Sequence, residues 1–418
     1  MNDASQPVTR DVRLLFATRA VRLFAYGFLS VVLVLYLAAA GLSEARIGLL
    51  LSLTLAGDTA ISLYLTTRAD RLGRRAMLVV GAVLMIFAGA LFAATDRFAL
   101  LLFAATVGVI SPAGNEVGPF LAIEQAALSQ AVPAGRRTQV FAWYTLFGSF
   151  ATALGSLAGG GLASALQRGG AAPLASYRAV VVGYGALGLG LLLLFTRLSR
   201  AVEAPAARRA LPSERPSFLQ RSLGLSRARA VVLKLSALFS VDAFAGGFVV
   251  QAFVAYWFHR RFGVEPALLG GIFFGANVLA GVSALTASWV ARRIGLVRTM
   301  VFTHLPSNVL LFLVPLMPDL PLAMAVLFLR FSISQMDVPT RQSFTMAVVE
   351  PDERSAAAGV TGIARTVGSS LSPLVAGPLY AVPALASLPF FIAGGLKSLY
   401  DLAFLFTFRH VSPPEERR

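Results

Sequence analysis

Runs of about 20 apolar residues recur along this chain, and they constrain its fold more than any other feature. A run of that length crosses the hydrocarbon core of a bilayer as one helix. In hydrocarbon every backbone polar group must be satisfied from within, which only helices and closed barrels achieve. Twelve runs fall near residues 13–40, 44–66, 76–95, 98–131, 138–166, 174–198, 229–258, 264–291, 298–317, 321–349, 354–381 and 383–408. They are long and continuous, whereas barrel strands are short and alternating. The expected class is an all-α polytopic membrane protein with twelve transmembrane helices. Of 418 residues, 57% are hydrophobic and 13% charged, about half the charge of a soluble domain.

A net charge of +16 would point to nucleic acid in a soluble protein. Here the basic residues lie between the apolar runs, so they set topology instead, and no nucleic-acid partner is expected. One side carries Arg68, Arg71, Arg74 and Arg75, then Arg136 and Arg137, then the basic stretch 199–228, then Arg292, Arg293 and Arg298. The other side is sparser, with Glu44, Arg46, Asp96, Arg97, Arg168, Arg178 and Asp319; Arg260 and Arg261 are its exception. The positive-inside rule puts the first set, and both termini, in the cytoplasm of a cell (inner) membrane. The first run is too long for a signal peptide and is read as a retained span. Cysteine is absent, which excludes disulfides, thiol catalysis and cysteine metal sites; neither cofactor nor metal is expected.

The polar stretch 199–228 divides the chain into two halves, 1–198 and 229–418, with six runs each. The halves repeat weakly at a shift of about 220 residues. Gly73 falls opposite Gly295, Tyr36 opposite Tyr256, and Glu116-Val117 opposite Asp337-Val338. Repeated halves are a transporter architecture.

With these residues in view, the chain resembles the major facilitator superfamily. That family's loop signature after span two is G-x-L-x-D-R-x-G-R-[KR]. Here the segment reads Thr66-x-Arg68-x-Asp70-Arg71-Leu72-Gly73-Arg74-Arg75, so the Asp-Arg-x-Gly-Arg-Arg core is intact and the leading Gly and Leu are replaced. The resemblance implies two pseudo-symmetric six-helix halves. It also implies a gating loop of Asp70, Arg71, Gly73, Arg74 and Arg75, with Asp70 facing the start of span eleven. A second signature, the glycine run of span five in drug/proton antiporters, is partly present. Gly155, Gly159 and Gly160 stand in place, and Ser156 replaces the proline. Small residues of this kind let helices approach closely. The span-four arginine of proton-coupled members has no counterpart, because that position holds Val109 or a neighbour.

Ionisable groups inside spans are costly and mark function or an ion pair. Glu116 and Glu124 lie in span four. On a regular helix they share a face, with Glu124 about 12 Å nearer the cytoplasm. Glu116 is then the deep candidate for proton or substrate binding, and Glu124 a wet residue at the cytoplasmic mouth. Asp58, an isolated acid in span two, is the second proton-site candidate. Asp337 can pair along its helix with Arg341, which makes it a poorer proton carrier than Glu116. Arg22 and Asp242 fall at matched repeat positions. Either they bridge the halves, or Arg22 pairs with Asp58 or Glu116. Arg330 lies opposite span four's missing arginine. Lys397 and Asp401, four apart in span twelve, read as a structural pair. Gln251, Asn277, Asn308 and Gln335 are candidate hydrogen-bonding groups. Phe28, Trp143, Tyr144, Tyr256 and Trp257 either line an apolar surface or anchor at the interface.

The function expected is secondary active transport by alternating access, proton-coupled, expelling an amphipathic or toxic small molecule. No phosphate-binding G-x-x-x-x-G-K-[ST] loop is present to use ATP. The expected partners are that molecule, protons and the bilayer, and the expected form is a monomer. The alternative is uptake or facilitated diffusion of a polar or anionic metabolite, with Arg22, Arg330 or Arg341 free to hold it. A non-transporting sensor is a further alternative. An enzyme is not expected: His259, His304 and His410 lack metal-site spacing, and no serine nucleophile motif occurs.

Overall fold

The computed structural model describes residues 6–133, 137–203, 228–350 and 353–409. Most of the polar stretch 199–228, and Arg136, lie outside the described residues. Sixteen α-helices follow in order among those described, joined by short turns. We number them α1 (Gln6–Ser30), α2 (Leu33–Ala39), α3 (Glu44–Leu72), α4 (Arg74–Ala94), α5 (Phe98–Val107), α6 (Phe120–Ala131), α7 (Arg137–Arg168) and α8 (Pro173–Thr196). After residue 228 come α9 (Arg229–Gly247), α10 (Gln251–Phe262), α11 (Pro266–Ile294), α12 (Leu296–Leu313), α13 (Leu320–Ile333), α14 (Asp337–Ala347), α15 (Arg354–Ala381) and α16 (Leu388–Phe408).

Among the described residues, nine helices are long and apolar enough to cross a membrane, or ten if the bent pair α1–α2 counts as one span. The chain is a multi-pass membrane protein. Two expected runs fall short of that measure for visible reasons. Residues 98–131 break into α5 and α6, each too short alone. Residues 354–381 form one helix, α15, but it is rich in Ser, Thr and Gly and contains Pro373 and Pro378.

The repeat reappears in the packing. Helix α1 packs most extensively on α7, and α9 likewise on α15; α4 packs on α8, and α12 on α16. Gly73 and Gly295 both take positive φ, 109° and 87°, at a sharp turn between two long helices. A side chain with a Cβ is strained there, so the repeat keeps glycine in both places.

The chain forms two compact units. One comprises residues 1–212 with 250–277, and the other 213–249 with 278–418. Polar contacts hold segment 250–277 to the first unit. Gln251 donates to Ser30 at 2.8 Å, Ala252 N–H to the Pro112 carbonyl at 3.0 Å, and Tyr256 to Glu44 at 2.7 Å. Ala267 N–H reaches the Ser164 hydroxyl at 2.8 Å.

Candidate functional site

In the first unit, the site is built on a failure of helix. Residues 108–119 of the expected span four are not helical. Gly114 and Gly118 turn the chain at φ 69° and 81°, and Pro119 precedes the restart at α6. Non-helical backbone at membrane depth must find partners in surrounding protein. It does so: Tyr26 donates to the Val117 carbonyl at 3.1 Å, and Thr152 to that of Gly114 at 3.3 Å. Gly118 N–H donates to the Asp58 carboxylate at 2.7 Å. Asp58 is therefore not an isolated acid; it caps the break from α3, and Ser62 lies 3.5 Å away.

Glu116 stands inside that break, so the regular-helix spacing from Glu124 does not apply. The exposures expected of the two glutamates reverse. Glu124, on α6, is fully buried, while the Glu116 side chain keeps 17% exposure. Glu124 accepts from Thr18 at 2.8 Å, from Arg22 Nη1 and Nη2 at 2.8 Å each, and from the Tyr144 hydroxyl. A wet cytoplasmic-mouth residue is thus replaced by the buried centre of a network. Glu116 accepts from Arg22 Nε at 3.0 Å, from Arg22 Nη2, and from Arg19 Nη1 at 3.1 Å. Arg22 itself is fully buried, with its guanidinium carbon 4.8 Å from the Phe120 ring centre. Arg19 lies 4.3 Å from the Tyr144 ring centre. Two arginines of α1 and two glutamates make one neutral set.

The second unit holds the complementary set. Asp242 of α9 accepts from Lys397 at 2.6 Å, and from Arg341 and Arg365 at 3.2 Å each. Arg341 also donates to Asp337 at 2.7 Å, one turn back on α14. Asp401 bonds to His304 Nδ1 at 2.9 Å and accepts from Asn308 at 2.8 Å. Lys397 and Asp401 therefore do not pair along their helix; each turns to a different neighbour, because Asp242 offers Lys397 a buried carboxylate. Arg22 and Asp242 likewise find their partners inside their own units, so the Arg22–Asp242 pairing gives way to Arg22 with Glu116. Arg330, on α13, joins neither set.

The loop between α3 and α4 is fastened locally. Arg74 donates to Asp70 at 2.7 Å and to the Val202 carbonyl at 3.2 Å, and its backbone N–H donates to Glu203 at 2.7 Å. Arg75 donates to the Thr196 carbonyl at 2.5 Å, and Arg71 is exposed. On α7, a Cβ at Gly155 or Gly159 would lie 2.0 or 2.1 Å from the carbonyl oxygens of Phe24 or Phe28 on α1. At Gly160 it would lie 2.1 Å from the Pro266 carbonyl oxygen.

Arg19, Thr18, Arg365, His304 and the separate roles of Lys397 and Asp401 escaped the sequence reading. Two signals were available. Arg19 is one turn before Arg22, hence on its face. The shift of 220 also carries Tyr144 to 364, next to Arg365.

Residues 15–373 match the family model described as Major Facilitator Superfamily. An uncharacterized membrane protein of Saccharomyces cerevisiae is 33% identical over 399 residues, covering 89% of this chain and 88% of that protein. Among solved structures, a mutant of the nucleoside transporter NupG aligns with a TM-score of 0.75 at 15% identity, over 95% of this chain and 100% of that one. A D-xylose–proton symporter aligns with a TM-score of 0.72 at 16% identity, over 97% and 98% of the two chains. At such identities the structural likeness speaks for the fold.

Proposed function

We propose, from the premise that this chain belongs to the Major Facilitator Superfamily and is a non-enzymatic multi-pass membrane transporter, that it works by alternating access and couples transport to protons through Glu116. The observation that carries this reading is the sharing of Arg22 between two glutamates, of which only Glu116 keeps exposure. A buried ion pair that loses one partner leaves an uncompensated charge, at a cost of roughly 3–5 kcal/mol. Arg22 escapes that cost when Glu116 takes up a proton, because Glu124 still holds it. Arg22 thus keeps a counter-ion when Glu116 changes charge, while Arg19, whose ion pair is with Glu116 alone, is the cation released, and a proton-coupling group needs such a partner to answer its change of charge.

Asp58 is the second candidate for the proton. Its carboxylate caps the same break two residues from Glu116, so protonation of either acid acts on one segment. Outward transport of an amphipathic small molecule across the cell membrane, with both termini cytoplasmic, is the direction we favour. Its support is the glycine face of α7, which matches part of the antiporter pattern. A monomer is sufficient for this reading, because each charged set is complete within one chain.

The test is transport in proteoliposomes under an imposed pH gradient, using a screen of candidate substrates. Wild-type protein is expected to move substrate against its gradient, and Glu116→Gln to lose that drive while still exchanging substrate at equilibrium. Full gradient-driven transport by Glu116→Gln would remove Glu116 as the coupling group.

A further inference from the structure

Three arginines deep in the spans, Arg22, Arg330 and Arg341, are available in the sequence to hold an anionic ligand. The structure separates them. Arg22 is occupied by Glu116 and Glu124, and Arg341 by Asp337 and Asp242. Among the described residues, no carboxylate lies within ion-pair distance of Arg330. Its buried Nε has no hydrogen-bond partner. Its guanidinium carbon rests 5.0 Å from the ring centre of Phe331. The acid that shares its span, Asp337, already accepts from Arg341 at 2.7 Å.

Arg330 is also far from either end of its span. The span runs from Leu320 to Ala347, which places Arg330 about 15 Å from the Leu320 end along the helix. A cation at that depth is expensive without a counter-charge, and such residues mark ligand pathways. Long side chains near a span's end escape by reaching the interface; one near the middle does not.

A second unsatisfied group stands beside it. Ser334 is buried, and its hydroxyl has no partner. A helical serine ordinarily returns its hydroxyl to the carbonyl four residues back; this one does not. Ser334 is one turn beyond Arg330, so the two share a face. It occupies the break between α13 and α14, where the helical backbone pauses for residues 334–336. The Arg330 Nε and the Ser334 hydroxyl are thus both buried without a hydrogen-bond partner on one helix face, whereas buried polar groups of native proteins are nearly always partnered, by protein, water or ligand. The planar fork of a guanidinium matches the two oxygens of a carboxylate or phosphate.

We infer that Arg330 and Ser334 bind the anionic group, a carboxylate or phosphate, of the molecule this protein transports. The inference rests on the transport reading above and narrows its substrate to an organic anion. Phe331, beside the guanidinium, supplies apolar surface for the body of that molecule.

The experiment is ligand-dependent thermal unfolding of the purified full-length protein in nanodiscs, without a pH gradient. The probes are benzoate and phenyl phosphate, each beside a neutral counterpart, benzamide and benzyl alcohol. At least one anion is expected to raise the unfolding temperature with concentration while its neutral counterpart does not; the anion that does so tells carboxylate from phosphate. Arg330→Met should weaken that response by about tenfold or more, the loss expected for charge-assisted hydrogen bonds. Arg330→Lys should retain part of it, and Ser334→Ala should weaken it less than Arg330→Met. Equal responses to anion and neutral probe, or an anion response unchanged in Arg330→Met, would overturn the site. Proton coupling through Glu116 survives such a failure, because no gradient enters this assay. The anion site in turn survives failure of the Glu116 experiment.

Discussion

At Arg22, one guanidinium donates four hydrogen bonds, two to each of two glutamates. The glutamates are not equivalent. Glu124 has no exposure and also receives Thr18 and Tyr144, whereas the Glu116 side chain is partly exposed and also receives Arg19. Removing the charge of Glu124 leaves four donors facing a neutral amide in a buried site. We expect Glu124→Gln to destabilise the purified protein by roughly 3–5 kcal/mol, the cost of breaking a buried pair. Glu116→Gln should cost clearly less. Denaturant or thermal unfolding of both variants checks this, and equal losses would show that the glutamates share the load. The sequence placed both acids inside a span, and that much of the site was legible. Their burial was not, because it was read along a helix that stops at Val107 and restarts at Phe120. Arg341 with Asp337 was legible for the opposite reason: both lie on one short, regular helix, where four-residue spacing holds.

Helices α1 and α7 touch through backbone rather than side chains. A Cβ on Gly155 would lie 2.0 Å from the Phe24 carbonyl oxygen, and one on Gly159 2.1 Å from that of Phe28. Real atoms do not approach so closely, so even alanine must push the two helices apart. Gly155→Ala is expected to lower the unfolding temperature and transport together. Gly161→Ala, where nothing lies within 4 Å of the new carbon, should change neither. Size-exclusion profiles, melting curves and transport of the pair check this; a tolerant Gly155→Ala would mean the helices can separate freely. The glycine spacing of α7 was readable in sequence because it follows helical periodicity. The break at residues 108–119 was only half readable. Pro112 and Pro119 announce a bend, but the contacts that turn a bend into a stable interruption come from Asp58, Tyr26 and Thr152, far away in sequence. Polarity likewise hides α15 from a count of apolar helices, although it packs along α9 as α7 packs along α1.

Across the whole chain, the repeat inverts charge at one pair of matched positions, 22 and 242, and keeps it at another, Glu116 and Asp337. At matched positions the first half carries Arg22 in a nest of acids, and the second carries Asp242 in a nest of cations. The family and its fold were legible from the long apolar runs and the Asp70–Arg75 loop, since both survive as local patterns. The inversion was visible as two residues of opposite sign, but it invited pairing of one with the other. What decided otherwise is that counter-charges lie at hand in the same half: Lys397, Arg341 and Arg365 for Asp242, and Glu116 and Glu124 for Arg22. A chain divided within residues 204–227 and expressed as two fragments should therefore accumulate both in the membrane and yield a co-purifying pair. Degradation of both fragments even when they are made together would contradict this. The neutrality of the first set also bears on biosynthesis. Spans leave the ribosome in order, and Glu124 and Tyr144 enter the membrane soon after Arg22. By the time residue 228 is translated, none of the first half's buried ion pairs is still waiting for a counter-charge to be made.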